Sequence, residues 1–265
     1  MDKTIRQTAV AGTFYPADPA ELQQMIDGFI ENTPPPADDA PIPRAIIAPH
    51  AGYIYSGPVA ASAYARIIPA HNKFTRVVLL GPSHRIPFSG LAASSATQFA
   101  TPLGLIPLDT EEIQSLVSLP QVEIRDDAHL YEHSLEVHLP FLQTVLDEFT
   151  LIPLVVGDTD AEEVAQVLER FIDDEHTLIV ISSDLSHYLD YHTAQQRDKA
   201  TSQAIEQLKP EAIGYEDACG RNPVKGLLSL AKQLHLKAEI IDLRNSGDTA
   251  GPHDQVVGYG AYMIH

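Results

Sequence analysis

Three apolar runs in this chain each end near a histidine. Arg44-Ala45-Ile46-Ile47-Ala48 leads into Pro49-His50, and Thr75-Arg76-Val77-Val78-Leu79-Leu80 leads into Gly81-Pro82-Ser83-His84. Thr177-Leu178-Ile179-Val180-Ile181 leads into Ser182-Ser183-Asp184-Leu185-Ser186-His187. Each run reads as a buried strand, so each histidine is expected at a strand's carboxyl end, where open α/β sheets gather ligands and catalytic groups. Two histidines and one carboxylate on one face of a metal leave open positions for substrate and dioxygen, as in non-haem Fe(II) oxygenases. The same groups could instead hold zinc with a water for hydrolysis. A histidine left over, with its ordinary pKa near neutrality, can act as acid or base. His50, His84 and Asp184 are therefore the candidate metal ligands, and His187 is the candidate proton carrier. The dense stretch Glu132-His133-Ser134-Leu135-Glu136-Val137-His138-Leu139-Pro140 adds His133 and Glu136 as candidate catalytic residues. These two share a face at i,i+3 if the segment is helical. Tyr53, close behind His50, is expected to line the pocket.

Other chemistries find less support. There is no Gly-x-x-x-x-Gly-Lys-Ser/Thr phosphate loop and no Gly-x-Gly-x-x-Gly after the first strong strand, so nucleotide binding is not indicated. Gly-x-Ser-x-Gly is absent, and Ser182-Ser183 lacks the strand-to-helix elbow of a serine hydrolase. The single cysteine, Cys219, has no histidine near it in sequence and reads as a structural thiol at a helix entry.

The elements that must position these residues alternate between strand and helix. Asp18, followed by Pro19, caps a helix running to about Glu31, with Leu22, Met25, Ile26 and Phe29 on one stripe. Residues 34–43 read as a proline-rich surface linker. Val59–Arg66 reads as a helix, and 86–107 as irregular structure with a hairpin. Asp109 or Thr110 caps a helix to about Leu119, and Asp160 one to about Phe171. Pro140 must start a helix or kink one. Pro153, inside Thr150–Val156, argues for an edge or irregular strand. Residues 192–208 and 223–235 read as helices; Leu236–Leu243 and Val256–Ile264 read as strands across a short polar loop. The fold expected is a single α/β domain over 1–265, a three-layer sandwich with a central mostly parallel or mixed sheet.

Charge and composition narrow the partners. Asp+Glu number 36 against 17 Lys+Arg, for a formal net charge of −19. Such a surface repels nucleic acid and anionic membranes, and neither is expected as a partner. No run approaches the roughly 18 apolar residues of a membrane span. The first residues lack the apolar core of a signal peptide. One cysteine allows no intrachain disulfide, which suits a reducing cytoplasm, and a soluble cytoplasmic protein is expected. The expected partner is a small-molecule substrate or peptide, with a protein partner in a shared pathway as a further expectation.

Ala48–Gly57, Gly81–His84, Glu132–Pro140, Ser182–His187 and Cys219–Pro223 together resemble the Memo family, the mediator-of-cell-motility proteins. Its prokaryotic members are called AmmeMemoRadiSam system protein B. The likeness runs from Ala11-Gly12-Thr13-Phe14-Tyr15 to the last strand. It implies a fold like the class III extradiol ring-cleaving dioxygenases, which hold Fe(II) with two histidines and a glutamate. It also implies that His50 and His84 occupy the metal-type positions and that Asp184 and His187 lie in the pocket, His187 in the acid–base position. Eukaryotic Memo proteins have been linked to copper or iron binding, redox chemistry and phosphopeptide binding. One departure bears on the site. The eukaryotic members carry a cysteine, proposed as a ligand, in the loop before the last strand; counting back from Val257 places Thr249 there. A hydroxyl is a poor ligand beside a thiolate. Asp184, Asp248 and Glu136 are left as candidates to complete the site, with Asp254 a further one. The expected cofactor is Fe(II), with Cu or Zn as alternatives. The expected function is a metal-dependent redox enzyme of non-haem dioxygenase type; the alternative is a non-catalytic binding or maturation partner that uses the ancestral pocket.

Overall fold

Four of the apolar runs form the parallel heart of one sheet. In the computed structural model, which describes residues 4–37 and 39–265, Ala45–Ala48, Thr177–Ser182, Arg76–Pro82 and Thr150–Val156 lie side by side in that order. They are almost wholly buried, which is why they read as continuous apolar runs rather than alternating ones. The flanks mix the directions. Leu91–Ala93 pairs antiparallel with Thr150–Val156 and parallel with Val122–Ile124. On the other side Val256–Ile264 runs antiparallel to Ala45–Ala48, and both Ala238–Asn245 and His187–Leu189 pair antiparallel with it. The result is a nine-stranded mixed sheet flanked by helices. One buried apolar cluster extends from Val10 to Ile264. A second, three-stranded sheet joins Ile5–Arg6, Gln98–Thr101 and Gly104–Pro107.

Helix starts follow local chemistry. Asp18 accepts from the amides of Ala20 and Glu21 and opens Pro19–Glu31. Asp109 caps Thr110–Leu116, and Asp160 caps Ala161–Glu169 in a reciprocal capping box with Glu163. Pro140 sits in the first turn of Leu139–Val145, where its missing N–H is harmless. Pro223 does the same in Arg221–Gln233. Residues 34–43 carry no helix or strand among those described; Asp38 lies outside them. No described helix is long and apolar enough to cross a membrane.

Three expectations are corrected. The helix after His50 begins at Tyr53, not Val59, and runs to Tyr64 with Pro58 inside it. Pro58 removes the bond to the carbonyl of Ile54, a residue 55% exposed, so solvent can serve that carbonyl. Pro153 lies in an interior strand rather than at an edge. The carbonyl of Leu151 accepts the Asp109 amide on the outer side, and two residues on Pro153 points its nitrogen the same way. The neighbour on that side pairs only with Val155 and Val156, so no ladder bond is lost. Glu136 and His133 do not share a helix face, because the 3₁₀ turn spans only Glu136–His138.

Candidate metal centre

Because Ala45–Ala48, Thr177–Ser182 and Arg76–Pro82 are adjacent and parallel, the residues just past their carboxyl ends meet above one edge of the sheet. His50 and Asp184 come from two neighbouring strands, and Asp184 Oδ1 accepts the His50 amide at 2.8 Å. His84 comes from the third. His133 arrives from the loop before the Glu136–His138 turn. The rings of His50, His84 and His133 lie with centroids 4.7–5.5 Å apart, and one nitrogen from each lies within 4.8 Å of the others. Among the described residues this is the group of histidine, cysteine and carboxylate side chains placed to share a cation.

Hydrogen bonds fix which nitrogens are free. Ser182 Oγ donates its only proton to the Ser134 carbonyl at 2.6 Å. It can therefore only accept from His50 Nδ1, 2.6 Å away, which leaves His50 Nε2 with a bare lone pair. His84 Nδ1 lies 3.0 Å from Glu132 Oε1, so it carries the proton and its Nε2 is bare. Burial alone would raise the Glu132 carboxyl. Hydrogen bonds from the His84 ring and amide and from the Ser134 amide outweigh it and hold Glu132 at about 2. His133 Nδ1 is buried 3.2 Å from the same carboxylate oxygen yet makes no hydrogen bond. Burial, then the neighbouring imidazoles, push His50 well down. Burial pushes His133 down to about 4. Both are neutral at pH 7, the form that binds metals. Glu132 is thus the carboxylate that orients the His84 imidazole from behind, the usual support of a metal-binding histidine, and it also accepts the His133 amide.

This donor set fits a divalent metal. One nitrogen from each of the three rings converges there, and no cationic side chain joins the group. Imidazole suits zinc, copper, iron and nickel. His50, His84 and His133 would hold the ion.

The other predicted residues take other places. Asp184 lies outside the three-imidazole group, with Oδ2 3.9 Å from His50 Nε2. Burial raises its pKa, opposed by His187 and by the His50 and Ala51 amides. His187 donates Nδ1–H to the Leu185 carbonyl at 2.8 Å, so its Nε2 is bare. His187 lines a cavity of about 360 Å³ that also exposes His133, Asp184, Phe14, Tyr55, Tyr188 and Tyr259. Tyr53 turns away from that cavity into the core, where its hydroxyl donates to the Val137 carbonyl at 2.7 Å; Tyr55 is the tyrosine of that turn on the cavity wall. Glu136 is fully taken by Arg6, the Tyr15 hydroxyl and the amides of Ala9 and Val10. Tyr15 is consequently buried. Thr249 donates to the Ser246 carbonyl at 3.2 Å and is not on the cavity wall. Asp248 accepts from the Tyr191 hydroxyl and the Asn245 amide, and Asp254 is exposed.

Two residues were missed. Glu132 stood in the motif unassigned, although a carboxylate beside a histidine is a fair signal of a supporting acceptor. Cys219 Sγ lies 3.4 Å from His50 Nε2 and 3.7 Å from the Asp184 carbonyl, and burial, with the Asp184 charge beside it, pushes the thiol up so that it stays protonated. No sequence spacing points to this contact, which spans 169 positions.

Comparison with known proteins follows the same lines. The model of the Memo-like protein family matches residues 6–263. A MEMO1 family protein of Aquifex aeolicus is 39% identical over 267 residues, covering 96% of this chain and 97% of that one. A MEMO1 family protein of Saccharolobus solfataricus is 36% identical over 280 residues, with the same coverage. The crystal structure of an uncharacterized protein from Escherichia coli K12 is similar in fold, with a TM-score of 0.56 at 11% identity, over 83% of this chain and 98% of that one.

Proposed function

The chain belongs to the Memo-like protein family, and from that premise we propose that it binds one divalent first-row metal ion and performs redox chemistry of non-haem dioxygenase type on a small molecule. The observation that carries this reading is the convergence of His50, His84 and His133, with lone pairs freed by Ser182 and Glu132. Fe(II) is the first choice, with copper and zinc as alternatives. The likeness to class III extradiol dioxygenases belongs to this proposal, with one difference: the third donor is His133 rather than a carboxylate.

When bound, iron or copper supplies redox chemistry and Lewis acidity. The rest falls to the chain's own groups. Ser182 and Glu132 keep the ring protons on the far side of His50 and His84. His187, with a bare Nε2 on the cavity wall, accepts or returns a proton of the bound ligand. Asp184 holds the His50 backbone in place. Phe14, Tyr55, Tyr188 and Tyr259 give the ligand aromatic walls. A second reading is favoured by the rim, where Tyr188 is 70% exposed beside the cavity: a binding or maturation role that takes a peptide or protein partner there.

Elemental analysis of protein purified anaerobically tests the first reading. About one iron or copper per chain, lost in His133→Ala, is the expected result. Trace metal in the wild-type chain that Fe(II), Cu(II) and Zn(II) titrations fail to raise would overturn it and leave the binding role.

A further inference from the structure

The metal-bearing loop is held from one side by a segment that approaches it from far away in sequence. Ile5–Arg6 forms a short strand beside Gln98–Thr101, and the chain then crosses over residues 129–138 as far as Tyr15. Arg6 is buried. Its guanidinium donates to the carbonyl of Glu132 at 2.7 Å, to that of His129 at 3.0 and 3.1 Å, and to the Glu136 carboxylate. Glu136 in turn accepts the amides of Ala9 and Val10 at 2.8 and 3.0 Å and the Tyr15 hydroxyl at 2.6 Å. Phe14, on the same segment, packs its ring 4.8 Å from that of His133 and accepts the Tyr53 amide at 2.8 Å. The segment therefore grips the loop on both sides of His133. It also touches the main chain of Glu132, the residue whose side chain orients His84.

We propose that residues 5–15 are a strap that sets the geometry of the metal centre, with Arg6 and Glu136 as positioning residues, so that strap docking and metal binding reinforce each other. The inference rests on the metal reading above. A buried ion pair is weak evidence for stability, because well-packed apolar groups often do as well. Geometry is what this pair provides. It ties down the main chain of Glu132 and the side chain of Glu136, two points that bracket His133, and a metal site needs its donors held closely. Coupling is reciprocal by thermodynamic necessity: a strap that favours the metal-binding arrangement must itself be held more tightly when metal is bound.

Two measurements on the full chain with Co(II) as the probe test this. First, amide hydrogen exchange is followed with and without saturating Co(II). The Ala9 and Val10 amides, which bond to Glu136 and not to any proposed ligand, should exchange at least about fivefold more slowly with metal. Second, Co(II) affinity and visible absorption are compared for wild type, Arg6→Lys, Arg6→Met and Phe14→Leu. Arg6→Met should weaken Co(II) about 10–100-fold, with Arg6→Lys recovering part of the loss. Phe14→Leu, which leaves the ion pair intact, should perturb the Co(II) spectrum through His133. If Arg6→Met does not fold, the exchange measurement on the wild-type chain decides. Unchanged exchange at Ala9 and Val10, in a chain that binds Co(II), would overturn the strap alone; a wild-type chain that binds no Co(II) would overturn the metal reading with it.

Discussion

His50 and His138 are equally buried, at 2% and 1% exposure, and burial lowers both pKa values, yet only one sits in a site. His50 has two other imidazoles within 5.5 Å, and a hydroxyl that can only accept fixes its tautomer. His138 has Tyr64 beside it instead. Its Nδ1 lies 2.8 Å from the Tyr64 hydroxyl, and its Nε2 has no partner. His129 is a second core histidine, with Nε2 donating to the Ala92 carbonyl at 2.9 Å. Burial and a neutral ring are thus common to both kinds. What makes a site is convergence: adjacent parallel strands bring separate rings to one point with their lone pairs facing inward. His138, on a 3₁₀ turn that packs inward, meets a tyrosine ring but no other imidazole among the described residues.

The largest expected effect breaks this comparison directly. His50→Ala and His133→Ala should reduce metal from about one ion per chain to trace, while His138→Phe leaves the stoichiometry unchanged. Inductively coupled plasma analysis of the three purified variants reads this. Equal loss in His138→Phe would mean that the difference between the two kinds of histidine is not about metal.

Acid should act through all the buried histidines, with His50 and His133, also pushed down by burial, adding to the core pair. Burial holds His129 at about 4 and His138 at about 3, both below the ordinary 6.5. The unfolded chain therefore binds more protons between pH 6.5 and those values, so stability is complete above pH 6.5 and falls as pH drops. At pH 5 each should cost about 2 kcal/mol. Urea unfolding at pH 7 and pH 5 measures it, and His138→Phe should remove about half of the core pair's share of the loss. Glu132 adds to the same trend at lower pH. Its depressed carboxyl stabilises the fold above its ordinary 4.5, and that contribution is lost toward about 2.

Much of this was legible in the sequence, and the reason is local. The runs ending at His50, His84 and Asp184 announced strands, and three strand ends side by side are enough to bring those residues together. The capping residues Asp18, Asp109 and Asp160 act within three positions of themselves and so could be read directly. Illegible features depended on distant partners. Glu136 looked like a ligand because nothing nearby reveals that Arg6, 130 positions away, claims it. Tyr53 and Tyr55 are two residues apart, and the register of a helix start decided which one faces the cavity. His133 read as a catalytic candidate rather than a metal donor because its loop has first to fold back over the sheet before it joins the other rings.

Glu132→Gln should have an intermediate effect. The amide keeps the size and one acceptor but loses the charge that holds the His84 proton on Nδ1. Metal affinity should fall about 10–100-fold with stoichiometry retained at high metal concentration. Isothermal titration with Zn(II) reads both numbers. A loss as complete as that of His133→Ala would move Glu132 from support to ligand.

Thr249 gives the smallest effect and the sharpest test of where the third donor comes from. By resemblance the loop before the last strand should complete the site, and Thr249 is the residue that count places there. In the structure its hydroxyl donates to the Ser246 carbonyl inside its own loop, while His133 is the residue that joins His50 and His84. If the three imidazoles are the donor set, Thr249→Ala removes one weak, partly exposed hydrogen bond and nothing from the metal. Affinity for Zn(II) should then stay within about twofold of wild type, and stability within about 0.5 kcal/mol. A tenfold or greater loss of affinity in Thr249→Ala, with the fold intact, would mean that the loop closes onto the metal when it binds. His133 would then be a neighbour of the ion, and the division between site and core histidines would have to be redrawn around two rings.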